Sequence, residues 1–180
     1  MFSSFYKDLS SAVSERGWKM PFGAIRLFYS FLVINYFLPM IARNIPNKFV
    51  AIIHRIRGVK IGPNTWIDKT VIIDEAFPEN ISIGTDVRIA AGSVIISHSK
   101  AGHYLRENYF PNRISKIKIC DYSFIGVNSV IMPGVTIGEG CVVVSGSVVL
   151  SNTKPYTIVS GAPAKKIKDM KNIKKGVRDE

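Results

Sequence analysis

From Ile119 onward an aliphatic side chain returns at every sixth position: Ile119, Ile125, Ile131, Ile137, Val143 and Val149. The fourth residue after each is small or compact: Ser123, Ser129, Val135, Cys141, Ser147 and Thr153. The same register runs upstream at Ile61 and Ile67, with Thr65 and Val71, and at Ile83 and Ile89, with Val87 and Ser93. A period of six fits neither an amphipathic helix (about 3.6) nor a half-buried strand (about 2). It is the signature of a parallel β-helix, in which each six-residue unit supplies one short strand and one turn. Three units close a triangular coil of about 18 residues. The aliphatic residue points inward and the small one fits the tight inner corner. Gly62, Gly84, Gly126 and Gly138 follow aliphatic positions, where the chain is expected to bend and side chains to crowd.

The repeat divides the chain. Residues 1–57 lack it and read as helical, with breaks at Pro21, Pro39 and Pro46. A last helical turn at Ile52–Arg57 is expected to lead into the first coil at Gly58. Residues 58–163 carry the coils, interrupted twice. The first excursion is short, Glu75–Asn80, and contains Pro78; the second, residues 98–115, has no six-residue pattern and must leave the coil as a loop. Gly161-Ala162-Pro163-Ala164-Lys165 is expected to close the coil. Residues 164–180 follow as a basic tail, expected to form a short helix that ends near Gly176. The predicted fold is an all-β core, a parallel β-helix, with an N-terminal helical segment and a short C-terminal helix. The open ends of such a coil need caps, which the two flanks could supply.

Charge adds a second division. The formal charge of the 180 residues is +11, but the coil region is near neutral and the excess lies on the flanks. Basic flanks suit an anionic partner such as a phosphorylated cofactor or a membrane surface. No nucleic-acid-binding module is visible, so nucleic acid is not an expected partner. Cys120 and Cys141 fall within the repeat register and read as small core residues, without metal-ligand spacing or a disulfide framework. A reducing cytosol fits. The first 20 residues carry too many charges for a signal peptide. Residues 22–41 are strongly apolar but interrupted by Arg26, Asn35 and Pro39. Three readings stay open for this segment: a packed helix, an interfacial helix at the cytoplasmic face of a membrane, and a span. The expected location is cytoplasmic, with peripheral membrane contact under the interfacial reading.

The long excursion is the informative departure, because long loops in compact domains are usually functional. His98 stands at its root and His103 within it. His54 precedes the coils and reads as packing or surface. The run from Ile89 to His98 resembles the coil that leads to the catalytic histidine of sugar O-acetyltransferases of the maltose, galactoside and nodulation-factor type. His103-Tyr104-Leu105-Arg106-Glu107-Asn108 is similar to part of their loop. The run from Ile125 to Gly138 resembles the next coil, and Val159 to Lys165 their C-terminal acetyl-CoA motif. Residues 1–57 do not match that group. They look more like the helical leaders of acetyltransferases of surface-polysaccharide assembly.

The resemblance implies a left-handed coil, a homotrimer and acetyl-CoA as co-substrate, with no metal. It implies direct transfer of acetyl to a sugar hydroxyl of a bacterial surface glycan. His98 is then the expected general base, with His103 as the alternative, since a free imidazole titrates near neutrality. An oxyanion donor is expected from a backbone N–H near Gly126. Gly126, Ser145, Ala162 and Pro163 match the groove that takes the pantetheine arm, and Lys165 and Lys168 match cations that meet the CoA phosphates. For the acceptor, the matching or adjacent polar groups are Asp68, Asp74, His103 and Arg106. All candidate chemistry lies after residue 57, which leaves location and packing to the N-terminal segment. N-acetylation of an amino sugar, or acetylation of serine, uses the same scaffold and base and stays open. A β-helical carbonic anhydrase needs three zinc histidines across neighbouring coils, a spacing that His54, His98 and His103 lack. A non-enzymatic β-helical scaffold would need neither the histidine-bearing loop nor the closing motif.

Overall fold

The computed structural model describes residues 49–170. The expectations for residues 1–48, including the apolar run 22–41, and for residues 171–180 lie outside the described residues. The chain enters through helix α1 (Val50–Arg57), which buries one face: Val50, Ala51, His54 and Arg57. Gly58 ends it in the left-handed region (φ 109°), a conformation that favours glycine. The expected turn at Ile52–Arg57 is thus present and extends back to Val50.

Coil one is β1 (Lys60–Ile61), β2 (Trp66–Ile67) and β3 (Ile72–Ile73). Coil two is β4 (Ile81–Ile83), β5 (Arg88–Ile89) and β6 (Val94–Ile95). The long excursion holds β7 (His98–Ser99), helix α2 (His103–Asn108) and β8 (Arg113–Ile114). Coil three is β9 (Ile117–Ile119), β10 (Phe124–Ile125) and β11 (Val130–Ile131). Coil four is β12 (Thr136–Ile137), β13 (Val142–Val143) and β14 (Val148–Val149). The chain then forms β15 (Thr157–Gly161) and β16 (Ala164–Asp169).

These strands stack into three parallel faces, β1-β4-β9-β12, β2-β5-β10-β13-β15 and β3-β6-β11-β14, as a left-handed parallel β-helix. Register keeps like on like: Ile67 over Ile89, Ile89 over Ile125, Ile125 over Val143. The buried aliphatics from Ile67 to Val149 are at most 7% exposed, each contributing about 1.5–3 kcal/mol of transfer free energy. α1 closes the N-terminal end by packing on β1 and β2, with Val50 and Ala51 inside the same core.

Several small inner positions are serine, and there the hydroxyl matters as much as the size. Ser93 Oγ donates to Gly126 O (2.9 Å) and Ser123 Oγ to Cys120 O (2.8 Å). Each hydroxyl thereby satisfies a corner carbonyl inside a dry core. The corner between the first and second faces needs left-handed backbone in every coil. Asn64, Asp86, Tyr122, Gly140 and Tyr156 supply it, stacked so that the N–H of each of the last four bonds to the turn of the preceding coil.

Two expectations change. Gly62, Gly84, Gly126 and Gly138 are absent from the residues with positive φ, so the bend does not require them. Crowding does: a Cβ on each would meet backbone of the next coil or turn, at 2.6 Å from Gly84 C for Gly62 and 2.5 Å from Ser145 N for Gly126. The second change concerns the tail. Residues 164–169, expected in a helix, form β16, which turns back antiparallel on β15. The Gly161–Ala164 segment is therefore a hairpin turn, with a cis Ala162–Pro163 peptide, and the sheet continues beyond 163.

Gly138→Ala would put a Cβ 2.6 Å from Pro155 N and 2.7 Å from Lys154 C. Overpacking of this kind costs about 1–3 kcal/mol, which thermal or urea unfolding should register. Gly102→Ala, with nothing within 4 Å of the new Cβ, should stay within about 1 kcal/mol of wild type. Equal stability of the two variants would refute the crowding account.

Candidate active site

Both excursions leave the coil at one corner, after the third strand of coils one and two. Asp74 follows β3 there, and its N–H bonds to Ile95 O (2.9 Å), the last residue of β6. His98 follows β6 by three residues. The ladder therefore sets Asp74 against the root of the long excursion. The short excursion folds Phe77 and a 3-10 turn, Pro78–Asn80, over the same place.

Asp74 is 2% exposed, and both of its carboxylate oxygens are occupied. Oδ1 accepts from the N–H groups of Ala76 (2.8 Å) and Phe77 (3.1 Å). Oδ2 accepts from Ser97 N (2.8 Å), Ser97 Oγ (2.7 Å) and His98 Nδ1 (2.7 Å). Burial alone would raise its pKa; hydrogen bonds from His98, Ser97 and Phe77 outweigh it and hold the carboxyl below its ordinary value. The ionised carboxylate is acceptor-only, so His98 carries its hydrogen on Nδ1. The neutral imidazole then presents a bare Nε2. The His98 side chain is 29% exposed, while its Nδ1 side is tied to the buried Asp74. Phe77 packs edge-on against that ring at 5.4 Å between centroids.

A second buried polar group lies under Asp74. Arg57, 5% exposed at the end of α1, donates from Nη2 to Ile73 O (3.1 Å) and Asp74 O (2.9 Å). Its Nη1 donates to His54 Nδ1 (2.8 Å). Burial, with Arg57's charge adding to it, lowers the His54 pKa to about 3, so His54 is neutral and acts as an acceptor. Burial likewise lowers the pKa of Arg57, opposed by Glu75 and Asp74.

The other expected site residues fall in different places. Asp74 does not face an acceptor; its oxygens are spent on holding His98. Asp68 lies at the next corner and caps a turn, accepting from Thr70 N (2.9 Å) and Thr70 Oγ1 (2.6 Å). His103 and Arg106 are exposed on α2 and pair with each other, Nη2 to Nδ1 at 3.0 Å. Gly126 is buried, and its N–H bonds to Val143 O (2.8 Å). It is therefore neither an oxyanion donor nor an open wall for a cofactor in this chain; its smallness serves coil stacking. Ser145, Ala162, Pro163, Lys165 and Lys168 are exposed. Lys166 between them pairs with Asp169 at 2.7 Å.

These groups occupy two edges of the triangular coil. Successive backbone bonds from Asp68 to Ile89, Ala90 to Ile125, Gly126 to Val143 and Val144 to Val159 trace one edge. Ser145 and the β15–β16 turn continue along it. The edge that carries Asp74 and His98 is the next one round. A depression of about 480 Å³ on the β1-β4-β9-β12 face, lined by residues such as Ser82, Lys118 and Glu139, holds none of the expected groups.

Sequence reasoning missed the pairing of Asp74 with His98 and the supports Ser97, Phe77 and Arg57. One signal for the pair was present: both excursions begin at the same place in the repeat. Nothing in the pattern marked Arg57, which precedes it.

Residues 116–151 match the bacterial transferase hexapeptide family (six repeats). YvoF of Bacillus subtilis is 38% identical over 105 residues, 58% of this chain and 57% of that protein. The chain thus spans about half the length of that relative. Protein CapG of Staphylococcus aureus is 34% identical over 138 residues, 74% of this chain and 77% of that protein. Among solved structures, the hexapeptide-repeat-containing acetyltransferase VCA0836 from Vibrio cholerae, in complex with acetyl coenzyme A, has the same fold. Its TM-score is 0.63 at 24% identity, over 82% of this chain and 86% of that one.

A carboxyl held below its ordinary value of 3.8 contributes stability that is complete above that pH and lost as pH falls through the folded value. Asp74→Asn should therefore cost about 1.5–3 kcal/mol at neutral pH, the worth of a hydrogen bond to a charged group. The gap to wild type should narrow as the pH falls below about 4. Urea unfolding across a pH series checks this; a gap that stays constant with pH would refute it.

Proposed function

This chain belongs to the hexapeptide-repeat acyltransferase superfamily, and from that we propose that it is an acetyl-CoA-dependent O-acetyltransferase of a bacterial surface-glycan sugar. The observation that carries the reading is the His98–Asp74 pair, with Nε2 left bare on a partly exposed ring. In the proposed reaction Nε2 takes the proton of a sugar hydroxyl as its oxygen attacks the thioester carbonyl carbon. A carbon–oxygen bond forms. The tetrahedral intermediate then collapses, the carbon–sulfur bond breaks, and the CoA sulfur leaves with the proton returned from Nε2. Asp74 keeps the ring oriented and stabilises the transient imidazolium, as a buried carboxylate does behind a histidine base. No enzyme nucleophile is needed.

The acyl donor is supported by the exposed hairpin edge and by the acetyl coenzyme A held in VCA0836. Ser145, Ala162 and Pro163 would line the pantetheine arm, and Lys165 and Lys168 would meet the phosphates, where charge-assisted contacts are strongest. That edge and the His98 edge are different edges of one chain, which fits the homotrimer that the resemblance implies. Three coils around a threefold axis would set the base of one chain beside the hairpin edge of the next. The sugar acceptor rests on the resemblance of the His98 coil and loop to sugar O-acetyltransferases, and a glycan rather than a free sugar on the sequence of residues 1–57, which departs from that group.

His98→Ala should leave the fold intact and lower turnover by about 10²–10⁴ in an assay with acetyl-CoA and a panel of glycan and amino-sugar acceptors. Full activity in that variant would refute the base, and transfer confined to amino groups would replace O- by N-acetylation. Lys165→Glu should raise the KM for acetyl-CoA roughly tenfold or more, since such a contact contributes about 1.5–3 kcal/mol, with a smaller effect on the acceptor. Unchanged CoA binding at moderate salt would remove Lys165 from the phosphate site.

A further inference from the structure

We infer that Arg57 is a positioning residue for His98, acting through the backbone that carries Asp74. The inference rests on the reading of His98 as the base. Arg57 is buried at the last turn of α1, 5% exposed. Its Nη2 holds the carbonyls of two successive residues, Ile73 and Asp74. Those carbonyls flank the point where the chain leaves β3 for the short excursion. This departure has no coil below it, because coil one is the first. Elsewhere the corner is held on both sides: Ile96 N bonds to Ile131 O and Met132 N to Val149 O, each with a coil beneath. At Asp74 the guanidinium stands in for the missing coil.

The fork is itself held. Nη1 donates to His54 Nδ1, one turn back on the same helix, so the planar group is fixed at both ends. His54 takes this bond as a neutral acceptor and brings no second charge. The order of contacts is then His54 to Arg57, Arg57 to the Asp74 backbone, and the Asp74 carboxylate to His98 Nδ1. Without the fork, the Asp74 backbone loses its two carbonyl anchors, and a shift of its carboxylate relative to the ring weakens the 2.7 Å bond to Nδ1. The imidazole is then free to exchange tautomers, and Nε2 carries the proton part of the time.

Long-range proton–nitrogen NMR of the histidine rings at mildly alkaline pH reads the tautomer without any assay. The His98 signals are assigned by their loss in His98→Ala. Wild-type His98 should be in the Nδ1–H form. Arg57→Met, which keeps much of the volume and removes the fork, should shift His98 to a tautomer mixture. It should lower kcat by roughly 10–100-fold with the KM for acetyl-CoA within twofold. Arg57→Lys, which reaches one carbonyl but not two, should fall between and carries the test if the Met variant does not fold. Val149→Ala, a cavity in coil four, serves as the control for lost stability alone and should leave the tautomer unchanged. A folded Arg57 variant with wild-type His98 tautomer would overturn the inference, as would an equal change in Val149→Ala. If His98→Ala retains full transferase activity, the base reading falls, while the tautomer measurement still decides whether Arg57 orders the ring.

Discussion

The hydrogen-bond ladder between stacked coils is the constraint on which the rest depends. Each strand of coils one to four contributes two or three residues, too few to hold itself, and is fixed by the strands of neighbouring coils. An insertion is tolerated only where the ladder already pauses, at a corner, and the chain must rejoin in register. Both excursions obey this. The pairs Ile67–Ile89 and Ile89–Ile125 keep aliphatic over aliphatic although different lengths of chain separate them. Two insertions at one corner of successive coils necessarily meet, and the histidine and the carboxylate meet with them.

The energetic tension sits at Asp74. A buried carboxylate is costly unless its lone pairs are filled, and here five donors fill them. Three of those donors are backbone N–H groups, which have no rotamer to lose. The arrangement is therefore stiff and leaves His98 little choice of orientation. In contrast, His103 and Arg106 on α2 are solvated and bonded only within their own helix. Proximity in sequence to His98 did not make them partners of it.

The division of expected groups between two edges has a simple cause. A coil of three short strands turns through three corners, so residues six positions apart look in different directions. His98 belongs to the corner after the third face. Ser145 and the β15–β16 turn belong to the corner after the second. The proposed threefold assembly would bring the two edges together between chains.

Much of this was legible along the chain. The six-residue period located most strands of the coils, because a two-residue strand with one inward side chain leaves little freedom in where an aliphatic residue can go. The long excursion was legible as the place where that period fails, and His98 as its root. What the period does not encode is distance across the stack. Asp74 and His98 lie 24 positions apart, and only the register of coil on coil makes them neighbours. Arg57 lies before the repeat altogether, and its contact with Asp74 needs the helix to dock on coil one. Gly126 was read as an open wall and is a packed one, since crowding between coils and crowding against a ligand select the same residue. β16 was read as helix, because a charged run favours neither state until a free sheet edge offers it a partner. Local pattern determined the coils, which are held by what each strand buries; tertiary stacking decided the site, which is held by what the corners bring together.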